Sequence, residues 1–360
     1  MFTDDSVNLR HYFFPRIILK NSIELQDLYN YFEGIFISPI LKRKYRKESK
    51  KRRIEIDLST GAESIIQKTY LFSNTHVQFT IGNIHVTINL YSDTVQKSLI
   101  EEVTKIVQFV GSLSTSMIQK LVLNIYLIDQ KKKNTSKMKQ FGKNEINSGA
   151  CQRGDTTIIT IYREEELFKV CIHELIHAFQ YDNYEDNHQI IQWYQKKYNI
   201  TSDHINTNEA YTEIWANLIN CYLISQKVGR NRYNLFLILI ALEKEFVKFQ
   251  AEKIIYLTGM NGKEIDINKE TNILSYFIIR HELYEKLNLF LKFCKKHNED
   301  YIKLKDENKW FELLKKNYKM KKNKRRFNNM NKRDYLFSTM RMSLNELDIY
   351  AFVNTPSLLG

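Results

Sequence analysis

The stretch TTIITIYREEELFKVCIHELIH, residues 156–177, passes from a β-branched apolar run directly into a segment of helical periodicity with no Gly or Pro. Its first part, TTIITIY (156–162), predicts a buried strand, because Thr and Ile suit a pleated surface. Its second part predicts a helix over about 163–182. Glu164, Glu165 and Glu166 stand at its start, where carboxylates favour the positive end of the helix dipole. Leu167, Val170, Ile172, Leu175, Ile176 and Phe179 leave little polar surface except His173, Glu174 and His177. A helix so apolar is buried, and buried histidines need partners.

Upstream, the pattern is that of a sheet. HVQFTI (76–81) and IHVTINLY (84–91) flank Gly82-Asn83, a pair suited to a tight hairpin turn, and LVLNIYLI (121–128) reads as another buried strand. Between the strands, Val95, Leu99, Val103, Ile106, Val107 and Val110 recur at helical spacing, which predicts a helix packed on the sheet. Residues 129–155 are polar and basic and read as a long loop or a sheet edge. Downstream of Tyr162 the pattern turns helical, with helices expected near 188–198, 207–227, 232–257, 271–296 and 299–318. The organisation predicted is α+β: a sheet-rich part over 1–160, a helical lobe over 161–318, and a basic linker with a short helical tail over 319–360.

On a helix, His173 and His177 share one face and can direct their imidazoles at a common point, with Glu174 beside it. A zinc ion held there lowers the pKa of bound water, and an adjacent carboxylate can take the released proton. A hydrolytic zinc site needs a third ligand and an open position. NEAYTEIWANLINCYLIS (208–225) offers Glu209 and Glu213 four residues apart on one helix face, so one can bind the ion while the other supports a ligand histidine through its ring N–H. The bland readings are specific too: Glu209 as the third residue of a capping box begun at Asn206, and Glu213 as a solvent-facing helix residue.

Together HELIH (173–177) and NEAYTE (208–213) resemble the Glu-zincin (gluzincin) metallopeptidases, whose pattern is HExxH followed on a later helix by Asn-Glu-x-x-x-Asp; here Glu213 takes the final position. The resemblance covers residues 145–225. It implies a zincin-like fold, zinc held by His173, His177 and Glu209, Glu174 as general base and Glu213 behind the ligands. It also implies a peptide substrate extended along the sheet edge. The longer spacing between the motifs implies an inserted helix near 188–198. The combination of NSG…IYREEELFKVCIHELIH with NEAYTEIWA is also similar to zinc peptidases encoded by large DNA viruses, which would place the protein in a host cytoplasm or a virion.

Other residues are assigned on less. An oxyanion needs a side-chain donor. Tyr276 is the choice, because Asn272, Ser275 and Tyr276 form a polar patch in an apolar helix; Arg280, His281, His204 and Tyr211 are alternatives, and an ordinary core tyrosine is the competing reading. Cys151 could place a thiolate on the metal, whereas Cys171 reads as core. HELYE (281–285) lacks the second histidine. The four cysteines show no paired spacing, which speaks against a disulfide framework and for a reducing, intracellular compartment; no signal peptide or transmembrane run is evident.

The net charge of +13 is concentrated in KRKYRKESKKRR (42–53), KKKNTSKMK (131–139) and KKNYKMKKNKRR (315–326). These runs read as solvated loops, or as a surface for nucleic acid or another acidic partner. The expected function is therefore zinc-dependent peptide hydrolysis; the alternative is a basic nucleic-acid-binding or scaffold protein with a structural or vestigial metal site.

Overall fold

The computed structural model describes residues 1–35, 44–46 (backbone), 72–92, 96–134, 141–183, 185–202, 205–228, 230–259, 271–316, 327–328, 330–331 and 334–350. Six strands form one mixed sheet: β1 (Lys44–Arg46), β2 (Phe72–Ile81), β3 (Ile84–Ser92), β4 (Lys120–Tyr126), β5 (Gly149–Gln152) and β6 (Thr157–Ile161). Their order is β1-β2-β3-β4-β6-β5. β3, β4 and β6 run parallel, while β1, β2 and β5 are antiparallel to their neighbours. The β2–β3 hairpin closes on the Ile81–Ile84 pair around Gly82, whose φ of +53° is one that glycine adopts without a Cβ penalty.

Helix Lys97–Gly111 crosses from β3 to the parallel β4 and buries Leu99, Val103, Ile106, Val107 and Val110, which carried its periodicity together with Val95, outside the described residues. The HELIH helix spans Leu167–Ala178, directly after β6, and the NEAYTE helix spans Thr207–Val228. The NEAYTE helix is buried nearly all round and runs through the core, with polar residues such as Glu213, Asn217 and Asn220 among those buried, which explains its weak amphipathicity. Sheet and helices share one continuous apolar cluster, reaching from Val86, Leu123 and Ile159 to Trp215, Phe277 and Trp310.

Several expectations are corrected. The HELIH helix begins later than residue 163 and without acidic residues in its first turn: Glu166 is its N-cap at φ +62°, and Glu165 and Glu166 are buried against other partners. The sheet-rich part does not begin at residue 1. Two helices, Asp4–Phe13 and Ile23–Glu33, are capped by the side chains of Thr3 and Ser22 and pack on the helical half. Phe13 packs on Phe246 and Phe249, and Tyr29 on Tyr222.

The expected 271–296 helix is divided into a π-helical turn (Leu274–Ile279) and two α-helices, Arg280–Glu285 and Leu287–His297. The 299–318 helix shortens to Glu307–Lys315. Residues 343–350 do not form the expected α-helical tail. After a short helix at Tyr335–Ser338 the chain runs irregularly into the interior, where Thr339 through Leu347 are all buried.

Most of the basic run 42–53, the greater part of 315–326 and the end of 131–139 lie outside the described residues. Lys132, from the second run, is not solvated: it is buried 2.8 Å from Glu166. Among the described residues no helix is long and apolar enough to cross a membrane.

Candidate metal centre

His173 and His177 lie one turn apart on the HELIH helix and point toward the start of the NEAYTE helix. Their Nε2 atoms are 3.1 Å apart, and each is 3.3 Å from Glu209 Oε2. Among the described residues this trio forms the one cluster of His, Cys, Asp and Glu with metal-ligand spacing.

The opposite ring nitrogens face carboxylates. His173 Nδ1 is 2.9 Å from Glu213 Oε1, and His177 Nδ1 is 2.7 Å from Asp182 Oδ2. An imidazole beside a carboxylate places its proton on the nitrogen that faces it. Both Nε2 lone pairs then converge on the same point as a carboxylate oxygen, and Glu209 Oε2 has no hydrogen-bond donor of its own. Three electron-rich atoms gathered in a largely buried site call for a cation among them, a metal ion or, without one, a proton on an imidazole.

Acid–base properties follow from the same geometry. Burial opposes the charged form of His177, but Asp182 and Glu209 outweigh it and hold its pKa well above the ordinary histidine value. Burial would raise the Glu209 pKa, yet His177 and His173 pull it far below the usual carboxylate range. The Glu213 pKa is likewise held low against burial, by Lys169, His173 and Arg280. Glu174 moves the other way: burial raises its pKa, a shift only partly offset by the two histidines, which makes it a better proton acceptor.

Local structure explains how the chain reaches this arrangement. The HELIH helix ends at Ala178, and Gln180 at φ +59° reverses the backbone so that Asp182 returns to His177. Arg153 fixes that return by donating to His177 O at 2.9 Å and to Asp182 Oδ1 at 2.8 Å. Asp186 caps the NEAYTE helix through Thr207 and Asn208. Glu209 is therefore free of the capping box with Asn206: its Oε2 faces the imidazoles, while its Oε1 accepts from Asn272 at 3.4 Å. Glu213 is buried, not solvent-facing.

Gly149, on the edge strand β5, is a position where the missing side chain matters. A Cβ there would lie 2.9 Å from Glu174 Oε1 and 3.1 Å from Val170 Cγ1. The glycine lets the strand approach the helix closely and leaves room for the Glu174 carboxyl.

The trio opens into a cavity of about 350 Å³ lined by β5, by Glu174 and by Asn147, Asn206, Asn272 and Tyr276. Tyr276 sits on the π-helical turn, its ring 6.2 Å from that of His173. Burial, then Glu209 and Glu174, raises its pKa far enough that the phenol keeps its proton and can donate.

The alternative donors lie elsewhere. Arg280 is buried on Glu213, His281 is buried in the helical half, Tyr211 donates to Ile302 O, and His204 lies outside the described residues. Cys151 lines the cavity, but burial and Glu174 push its thiol up to about 12, so it remains protonated. Cys171 is core, and Glu282 of HELYE binds Lys197 and two tyrosines.

Sequence reasoning missed Asp182, Gly149, and the role of Lys169 and Arg280 as partners of Glu213. Of these, only Asp182 carried a local signal, as an acidic residue just beyond the motif helix. Compared with family models, curated proteins and solved structures, the chain matches none.

Proposed function

We propose that this chain is a zinc-dependent metallopeptidase of the gluzincin type, acting as an endopeptidase. The observation that carries the reading is the convergence of two histidine Nε2 lone pairs and the donor-free Glu209 oxygen beside an open cavity. Two imidazoles and one carboxylate suit zinc and leave a coordination position for water.

His173, His177 and Glu209 would hold the ion, which when bound acidifies a water molecule and polarises a carbonyl. Glu174 lines the same cavity, and its raised pKa suits it to take the proton from water and deliver it to the leaving amine. Tyr276, protonated and at the cavity wall, donates to the oxygen on which charge develops. Among the described residues β5 is the last strand of the sheet, which offers its outer backbone groups to an extended peptide. Gly149 sits on that strand next to Glu174, which brings the backbone of such a peptide close to the general base.

The test is metal analysis of the purified protein together with cleavage of a mixed peptide library by the wild type and Glu174→Gln. The expected result is one zinc per chain in both, with cleavage lost only in Glu174→Gln. A wild type that carries stoichiometric zinc but cleaves no peptide would sink the peptidase reading and leave a structural metal site.

A further inference from the structure

The least expected neighbour of the site is the strap Thr339–Glu346, which is buried throughout yet belongs to no helix or sheet. Buried N–H groups need acceptors, and here buried carboxylates supply them. Met342 N donates to Glu166 Oε1 at 3.0 Å, with Ser343 N beside it, and Leu344 N and Asn345 N donate to Glu243 Oε1 at 3.0 and 2.9 Å. Ser343 Oγ donates to Glu243 as well.

The other side of the strap touches the residues that hold Glu213. Met342 O accepts from Arg280 Nη1 at 2.7 Å, and the same Nη1 is 2.8 Å from Glu213 Oε2. Met342 Sδ is 3.9 Å from Lys169 Nζ, which also contacts Glu213 Oε1. That oxygen is the one facing His173 Nδ1. An unbroken series of contacts thus runs from the strap through two buried cations and one carboxylate to a metal-site histidine.

We propose that the strap is a positioning element of the metal centre, fixing Arg280 and Lys169 so that Glu213 stays aimed at His173. The inference rests on the reading of His173, His177 and Glu209 as zinc ligands. Arg280 is fully buried, and among the described residues its Nε and Nη2 have no hydrogen-bond partner, so its polar contacts are with Glu213, Asn217 and the strap carbonyl. Freed from the strap, Arg280 and Lys169 can draw Glu213 away from the imidazole, and His173 loses its fixed tautomer and ring orientation.

The test measures zinc affinity by chelator competition and unfolding of the metal-free protein, using the full chain. Glu243→Gln and the milder Ser343→Ala loosen the strap without touching Glu213, and Arg280→Met cuts the link. Glu243→Gln and Arg280→Met are expected to weaken zinc binding about tenfold or more, and Ser343→Ala several-fold, with cooperative unfolding retained. The Glu243→Gln/Arg280→Met double variant should lose less than the product of the two, because both act through one contact series. If Glu243→Gln fails to fold, Ser343→Ala decides. Loosened variants that unfold earlier yet bind zinc like the wild type would reduce the strap to scaffolding and overturn the proposal. A wild type that binds no zinc would overturn the ligand reading itself, and this inference with it.

Discussion

Asp182→Asn is the most searching single substitution, because it keeps size and changes only the charge and what the side chain can accept and donate. Asp182 uses its two oxygens for two donors: Oδ2 faces His177 Nδ1 at 2.7 Å, and Oδ1 takes Arg153 Nη2 at 2.8 Å. Asparagine has one oxygen and one amino group. If the oxygen serves His177, the amino group confronts the guanidinium, donor against donor. If the oxygen serves Arg153, the amino group donates to His177 Nδ1, which moves the imidazole proton to Nε2 and removes a ligand lone pair. Partners of this kind are worth about 10–100-fold in metal affinity, or about 1.4–2.7 kcal/mol. Asp182→Ala should fall within that range, since water can enter and accept from Nδ1, and Asp182→Asn should lose at least as much. The assay is chelator competition for zinc at fixed pH, with unfolding of the metal-free protein as the control. Asn at position 182 with wild-type zinc affinity would refute the tautomer argument.

Three further substitutions probe other parts of the site and fold. Tyr276→Phe should lower kcat by about 10²–10³ while leaving zinc content and KM nearly unchanged, as expected for a donor used only in the transition state; steady-state kinetics on a cleaved peptide decides it. Gly149→Ala places a methyl group 2.9 Å from Glu174 Oε1 and should reduce turnover more than zinc binding, because it displaces the general base and not the ligands; paired kcat and zinc measurements separate the two. His281 is buried and its pKa is lowered to about 4, mainly by burial. The unfolded chain therefore binds a proton that the folded chain refuses, so stability should fall by about 3 kcal/mol as pH drops from about 6.5 to about 4. His281→Gln should flatten that part of the urea-midpoint profile.

What could be read in the sequence was local. β-branched runs gave β3, β4 and β6, and four-residue spacing put His173 with His177 and Glu209 with Glu213. Those patterns depend on the periods of strand and helix, which sequence displays directly. The missing parts depend on chain reversals and on contacts between distant segments. Asp182 reaches His177 only through the positive φ at Gln180. Gly149 matters only because β5 lies against the HELIH helix. RMSLNE (341–346) has the polarity of a surface segment, and nothing in its pattern reveals that buried Glu166, Glu243 and Arg280 are waiting for its backbone. The two N-terminal helices escaped notice because their capping residues, Thr3 and Ser22, are also common in loops.

The charges around the site bear on what the fold is arranged to do. Lys132, Glu166, Lys169, Glu213, Glu243, Arg280 and Arg341 are all buried. Removing charges from water costs several kcal/mol each, and buried pairs recover this only with good geometry, so apolar replacements are often as stable or more so. Cohesion is already supplied by the apolar cluster that joins the sheet to the helices. What the charged groups add is direction, because a carboxylate held between Lys169 and Arg280 can present its remaining face only to His173. Replacing Lys169, Glu213 and Arg280 together by methionine, so that none of the three charges is left buried without its partner, should therefore separate the two roles: the metal-free protein should stay folded, or even gain stability, while zinc affinity falls. Loss of folding together with loss of zinc would show instead that the network holds the core together.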